Sequence, residues 1–113
     1  MKAAYICSPF RGAETRNIEY AKEITRAAIK QGYAPITPHL YITKCLNDRI
    51  PEQRERGISV GIALLDVCEI VIVGTDYRIS EGMQNEIKIA KEKGIQVVFV
   101  TAKNFYILPK MRM

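Results

Sequence analysis

The chain has 113 residues, 48% hydrophobic and 26% charged, with seven glycines and five prolines, a composition that predicts one soluble domain over 1–113 and excludes disorder, collagen-like repeats and coiled coil. No apolar run approaches the about 20 residues of a membrane span, and the apolar start stops at Ser8-Pro9, too early for a signal peptide; a cytoplasmic protein without a membrane partner is expected. The net charge of +5 comes from 17 basic and 12 acidic residues, but no basic run exceeds two residues and no aromatic-interleaved basic motif occurs, so a solvated basic surface or an anionic small molecule fits better than nucleic acid.

Ala3-Ala4-Tyr5-Ile6-Cys7 reads as a buried strand closed by Ser8-Pro9. From Glu14 to Gln31, Ile18, Ala21, Ile24 and Ala28 recur at helical spacing, and Gly32 supplies the stop. Ala34-Pro35-Ile36-Thr37 predicts a short second strand running into Pro38-His39, and Leu40 to Ile50 has no period and reads as an irregular loop. A second helix is expected after Pro51, carrying Ile58, Ile62 and Leu65 inward, with Asp48 as a candidate start. Ile70-Val71-Ile72-Val73 has no polar residue, the mark of a strand covered on both faces. A third helix is predicted from about Glu81 to Lys93, stopping at Gly94, then a strand Gln96-Val97-Val98-Phe99-Val100 and a last short strand from Phe105 to Leu108. Repeated βα units with right-handed crossovers give a small open α/β sheet.

Cys7, Cys45 and Cys68 lack CxxC spacing and are expected to be reduced and mostly buried. With a single histidine, no metal site is expected.

In open parallel sheets, ligands bind outside the carboxyl ends of the strands. That rule selects Ser8-Pro9-Phe10-Arg11-Gly12, then Thr37-Pro38-His39, then Gly74-Thr75-Asp76 through Ser80-Glu81-Gly82. The first loop combines a helix start with an arginine, which suits an anion, though a plain strand–helix turn explains it as well. It contains neither a Walker pattern nor GxGxxG. On the third helix, Met83, Ile87 and Ala90 form the inward stripe and Gln84, Lys88, Lys91 and Glu92 the outer face. Glu86 falls about 60° from Met83, on the flank of that stripe. Such a carboxylate is either partly desolvated beside a partner, aimed into a cleft, or a boundary residue reaching water. Ser80 stands where an N-cap belongs and either caps the helix or binds a phosphate or sugar hydroxyl; Gly82 leaves room for a ligand. His39 is a contact for base or phosphate or a structural turn residue, and Asp76 a sugar-orienting acid or a turn aspartate. Gly57 and Gly61, in the second helix, read as close helix packing, within the chain or across a dimer, or as nothing special.

Tyr5-Ile6-Cys7-Ser8-Pro9-Phe10-Arg11-Gly12, then Ser80-x-Gly82-x-x-x-Glu86-x-x-x-Ala90, then Gly94-Ile95-Gln96-Val97 resemble, in order, the nucleoside 2-deoxyribosyltransferase superfamily, which includes the 2′-deoxynucleoside 5′-phosphate N-hydrolases. The resemblance implies a flavodoxin-like, doubly wound three-layer fold with a parallel sheet of four or five strands. It implies no cofactor, a homo-oligomer, and cleavage between a base and C1′ of a deoxyribose. It makes Glu86 the nucleophile that forms a covalent deoxyribosyl ester, resolved by water or a second base. Ser80 stands where the transferases carry an aspartate for the 5′-hydroxyl and the monophosphate hydrolases a serine. Ser8, Arg11, Gly12, Ser80 and Gly82 would then cradle phosphate and sugar, with Pro9 and Phe10 in the same loop and Met83 beside the base or sugar. Ile87-Lys88 follows Glu86 where the family often has Leu-Gly. The alternative is a nucleotide or nucleotide-signal binding module of the same fold that turns nothing over.

Overall fold

The computed structural model describes residues 1–105. Its elements are β1 (Ala3–Cys7), α1 (Glu14–Lys30), β2 (Ala34–Ile36), a 3-10 turn (Pro38–Leu40), α2 (Ile42–Cys45), α3 (Pro51–Asp66), β3 (Ile70–Gly74), α4 (Glu81–Glu92) and β4 (Gln96–Val100). The short strand expected from Phe105 to Leu108 falls, beyond Phe105, outside the described residues.

The four strands form one parallel sheet in the order β2-β1-β3-β4. Every residue of β3 is buried, as its unbroken apolar sequence requires between two helical layers. β2 lies at an edge, where Pro35 costs no ladder bond on its open side. β1 alternates: Ala4 and Ile6 join Tyr20, Ile24 and Ala28 of α1 on one face, while Tyr5 and Cys7 join Leu65 of α3 and Met83 and Ala90 of α4 on the other. Each large apolar side chain removed from water in these two layers contributes roughly 1.5–3 kcal/mol. This is the doubly wound, flavodoxin-like architecture expected. The chain leaves β1 toward β2 on one side, and β3 lies on the other. The topological switch point, where such folds bind ligands, therefore lies between the carboxyl ends of β1 and β3. No helix among the described residues is long and apolar enough to cross a membrane.

The segment from 40 to 50 is more ordered than its sequence suggests. It holds the end of the 3-10 turn and the four-residue α2, elements too short to display a period. Asp48 does not start α3, whose N-cap position is Ile50 with Pro51 as the first helical residue. Of the three residues expected to point inward from α3, Leu65 is buried and Ile62 half-buried, but Ile58 is 45% exposed. Only Gly61 and Leu65 of α3 are buried, so its C-terminal half carries the packing and its first turns run past the core. Cys7 and Cys68 are buried and Cys45 is exposed; all three are free thiols.

Candidate active site

Glu86 lies on the buried side of α4. Ser80 caps the helix, its Oγ accepting from the Met83 N–H at 3.2 Å, and Met83 and Ala90 anchor it against the sheet. The next turn brings Glu86 over β1, where the two-residue period aims Tyr5 and Cys7 at it. Tyr5 Oη donates to Glu86 Oε2. Cys7 Sγ donates to Glu86 Oε1 at 3.5 Å and also lies 3.9 Å from the Met83 carbonyl. Gly61 of α3 closes the third side: a Cβ there would stand 3.4 Å from Tyr5 Oη and 3.9 Å from Glu86 Oε2. Gly57 packs on Leu46 and Ile42, so both glycines serve helix packing within the chain.

Burial pushes the Glu86 carboxyl above the ordinary range, and the hydrogen bonds from Tyr5 and Cys7 offset only part of that rise. Burial and the adjacent carboxylate push the Tyr5 hydroxyl and the Cys7 thiol well up, so both remain protonated donors. The result is a carboxylate held by two neutral donors in a poorly hydrated place.

The loop after β1 is pinned from below. Asn17, buried in α1, donates Nδ2 to the carbonyls of Phe10 and Arg11 at 2.9 and 3.2 Å, and Gly12 takes φ +95° to turn into the helix. Ser8 is fully buried, and its Oγ has no hydrogen-bond partner among the described residues. The Nδ1 of His39 is likewise buried and unpaired, while the ring stacks on Phe10 at 5.2 Å. Burial lowers the His39 pKa and favours the neutral imidazole. Orphaned polar atoms of this kind are costly unless a ligand or water satisfies them. Arg11 is engaged by Asp48, Nε to Oδ2 at 2.6 Å, with both side chains partly in solvent. A concavity of about 870 Å³ opens here between Phe10, Arg11, Gly12, Thr43 and Arg49. A second, of about 380 Å³, shares Arg11, Asp48 and Arg49 and extends to Ile58. Glu86 lines neither of them.

The candidate residues thus divide into groups. Ser8, Pro9, Phe10, Arg11, Gly12 and His39 gather at the carboxyl ends of β1 and β2. Ser80 and Gly82 sit at the start of α4, where a Cβ on Gly82 would meet only Ser80 Oγ, at 4.0 Å. Met83 is 2% exposed and belongs to the core. Its sulfur accepts from the Ser80 N–H at 3.4 Å; the inward position read from the helical stripe holds, and the buried side chain presents no surface for the base or sugar contact that the resemblance implied. Asp76 turns the other way, its Oδ1 accepting from Tyr20 Oη at 2.5 Å and from the Ala102 N–H at 2.9 Å. Its role as a turn residue is the one the contacts support.

Tyr5, Cys7 and Asn17 are not among the residues that the sequence singles out for the site, and Gly61 reads there as close helix packing, within the chain or across a dimer, or as nothing special. The available signal was the alternation in β1: once Glu86 was placed on the flank of α4, the polar atoms at positions 5 and 7, on one strand face, were its natural partners.

What this arrangement offers chemically is one ionisable carboxylate with both oxygens oriented on the α4 side, and a separate cluster of buried, unpartnered polar atoms in the loops after β1 and β2. The same fold occurs in a 2-deoxyribosyltransferase from the psychrotolerant bacterium Bacillus psychrosaccharolyticus, with a TM-score of 0.71 over 96% of this chain and 78% of that one, at 15% identity. No curated protein matches the sequence. Residues 2–100, from β1 through the end of β4, match the family described as a domain of unknown function, DUF7768, and the chain belongs to that family.

Proposed function

We propose that this chain cleaves, or transfers at, the N-glycosidic bond of a 2′-deoxynucleoside 5′-monophosphate, with Glu86 as nucleophile. The observation that carries the reading is the Glu86 carboxylate, oriented by Tyr5 and Cys7 on the buried side of α4. The structural likeness is to an enzyme that transfers 2-deoxyribosyl groups, and it adds support at the level of fold. As the base departs with the bonding pair, positive charge develops at C1′, and a close carboxylate stabilises it. A carboxylate oxygen then bonds to C1′, while the base nitrogen takes a proton from solvent. In the second step, water or another base attacks C1′ and gives up its proton to solvent, while the ester C–O bond breaks with its electron pair on the carboxylate and Glu86 regains its charge. Ser8, Arg11, Gly12, Ser80 and Gly82 hold phosphate and sugar, and Arg11 exchanges Asp48 for the more highly charged phosphate. Phe10 and His39 offer a flat surface to the base.

The concavities around Arg11, which Glu86 does not line, favour a second reading in which the chain binds a nucleotide without turning it over. A homo-oligomer accords with α3, where Val60, Ala63 and the following Val67 are exposed.

Chromatography of free base released from deoxynucleoside monophosphates, deoxynucleosides and ribonucleotides separates these readings. Release from the phosphorylated deoxy substrates that disappears in Glu86→Ala is the expected result. Nucleotide binding that survives Glu86→Ala with no base released, even when an acceptor base is supplied, sinks the enzyme and leaves the binding module.

A further inference from the structure

Cys7 is a buried thiol, fully removed from solvent, to which the reaction above gives no step. Its place is nevertheless specific. The two oxygens of Glu86 are held unequally: Oε2 receives the Tyr5 hydroxyl and faces the wall at Gly61, whereas Oε1, among the described residues, receives only the Cys7 thiol, at 3.5 Å. A hydroxyl donor draws electron density from the oxygen it binds. A thiol is a weak donor that orients an oxygen while leaving its lone pairs available.

We propose that Cys7 is a positioning residue for Glu86, fixing the carboxylate rotation so that Oε1 is the oxygen that bonds to C1′ and Oε2 the one anchored by Tyr5. This rests on Glu86 being the nucleophile. The Met83 carbonyl, one turn earlier in α4, lies 3.9 Å from the same sulfur and is the other acceptor within reach of its single proton. Both acceptors belong to α4, so wherever the thiol points it faces the helix that carries Glu86. Among the described residues, the titratable groups facing the carboxylate are Tyr5 and Cys7 on β1, with Cys68 beyond Tyr5; α3 brings Gly61 beside it.

The test pairs a measurement on Glu86 itself with one on turnover. Carbon-13 NMR of the side-chain carboxyl follows Glu86 titration in the wild type, Cys7→Ala and Cys7→Ser. Removing the donor in Cys7→Ala is expected to move the titration to higher pH, and the hydroxyl in Cys7→Ser to return it to or below the wild-type position. In turnover, Cys7→Ala should lower kcat about three- to tenfold, the size of one ordinary hydrogen bond, with KM nearly unchanged and the acid limb of the pH–rate profile moved upward. If Cys7 only fills space, Cys7→Ala lowers the melting temperature while the titration and the acid limb stay where they were, and the proposal is overturned. The NMR arm needs no activity, so a chain that releases no base still reports the Cys7–Glu86 coupling. Loss of the catalytic reading is seen separately, in Glu86→Ala.

Discussion

The two faces of the sheet each carry a tyrosine hydrogen-bonded to a carboxylate, and the pairs are built differently. On the α1 face, Tyr20 donates to Asp76 Oδ1 at 2.5 Å and accepts from the Asp76 N–H at 3.0 Å, while the same Oδ1 accepts from the Ala102 N–H. Backbone groups on both sides of the pair make it a staple joining α1, the loop after β3 and the chain leaving β4. On the α4 face, Glu86 receives Tyr5 and Cys7 and, among the described residues, no backbone donor. A carboxylate held by side chains alone is oriented without being consumed by the fold. Asp76 is tied into the backbone, whereas Glu86 is left in the state that its proposed role as nucleophile needs.

The largest effects should break this comparison at its reactive end. Glu86→Ala is expected to reduce base release by about 10³-fold or more, as loss of a nucleophile does, and circular dichroism should find the fold intact. Tyr20→Phe, at the other pair, should leave the rate within about threefold.

Next in size is the staple. Tyr20 lies directly over Gly74, where a Cβ would stand 2.5 Å from Oη and 2.9 Å from the ring. Tyr20 is buried in the α1 layer and cannot swing out to water. Gly74→Ala should therefore cost roughly 1–3 kcal/mol in urea unfolding, as overpacking does. Tyr20→Phe removes hydrogen bonds without adding volume and should cost about 0.5–1.5 kcal/mol. Equal losses from the two would mean that Tyr20 has room to move.

Much of the fold was legible because its strands and long helices carry periods. β3 has no polar residue, α1 repeats at Ala21, Ile24 and Ala28, and Gly32 and Gly94 stop α1 and α4 with positive φ. Glu86 was visible as a break in an otherwise regular helical division. What escaped lacked a period or depended on partners distant in sequence. α2 has four residues, too few to repeat. Ile58 fits the α3 wheel but lies beyond the part of the helix that meets the core. The wheel places Met83 inward, as found, and the substrate contact that the resemblance implied for it meets a side chain that is 2% exposed. Tyr5 stands 81 positions from Glu86, and only the pairing of β1 with β3 and the packing of α4 bring them together.

The smallest expected effect sharpens the comparison through pH. Burial raises the Glu86 pKa above its unfolded value of about 4.3, so the folded chain binds this proton more tightly than the unfolded one does. Between the two values the folded state carries more protons, and stability falls as pH rises through that window. Above it the carboxylate is charged in both states and the loss is complete. His39 acts in the opposite sense: its pKa is lowered by burial, so the unfolded chain holds more protons below about pH 6.5 and stability rises with pH there. Both contributions are present in the wild type, and a simple melting curve against pH mixes them. Glu86→Gln removes only the first. The difference in melting temperature, Glu86→Gln minus wild type, should therefore grow with pH from about 4 upward and then level off, with the His39 contribution cancelling. The same window should appear as the acid limb of the rate profile, because only the charged carboxylate attacks. A difference that stays flat across pH would mean that burial does not raise the Glu86 pKa, and the desolvated character of its pair with Tyr5 would be lost.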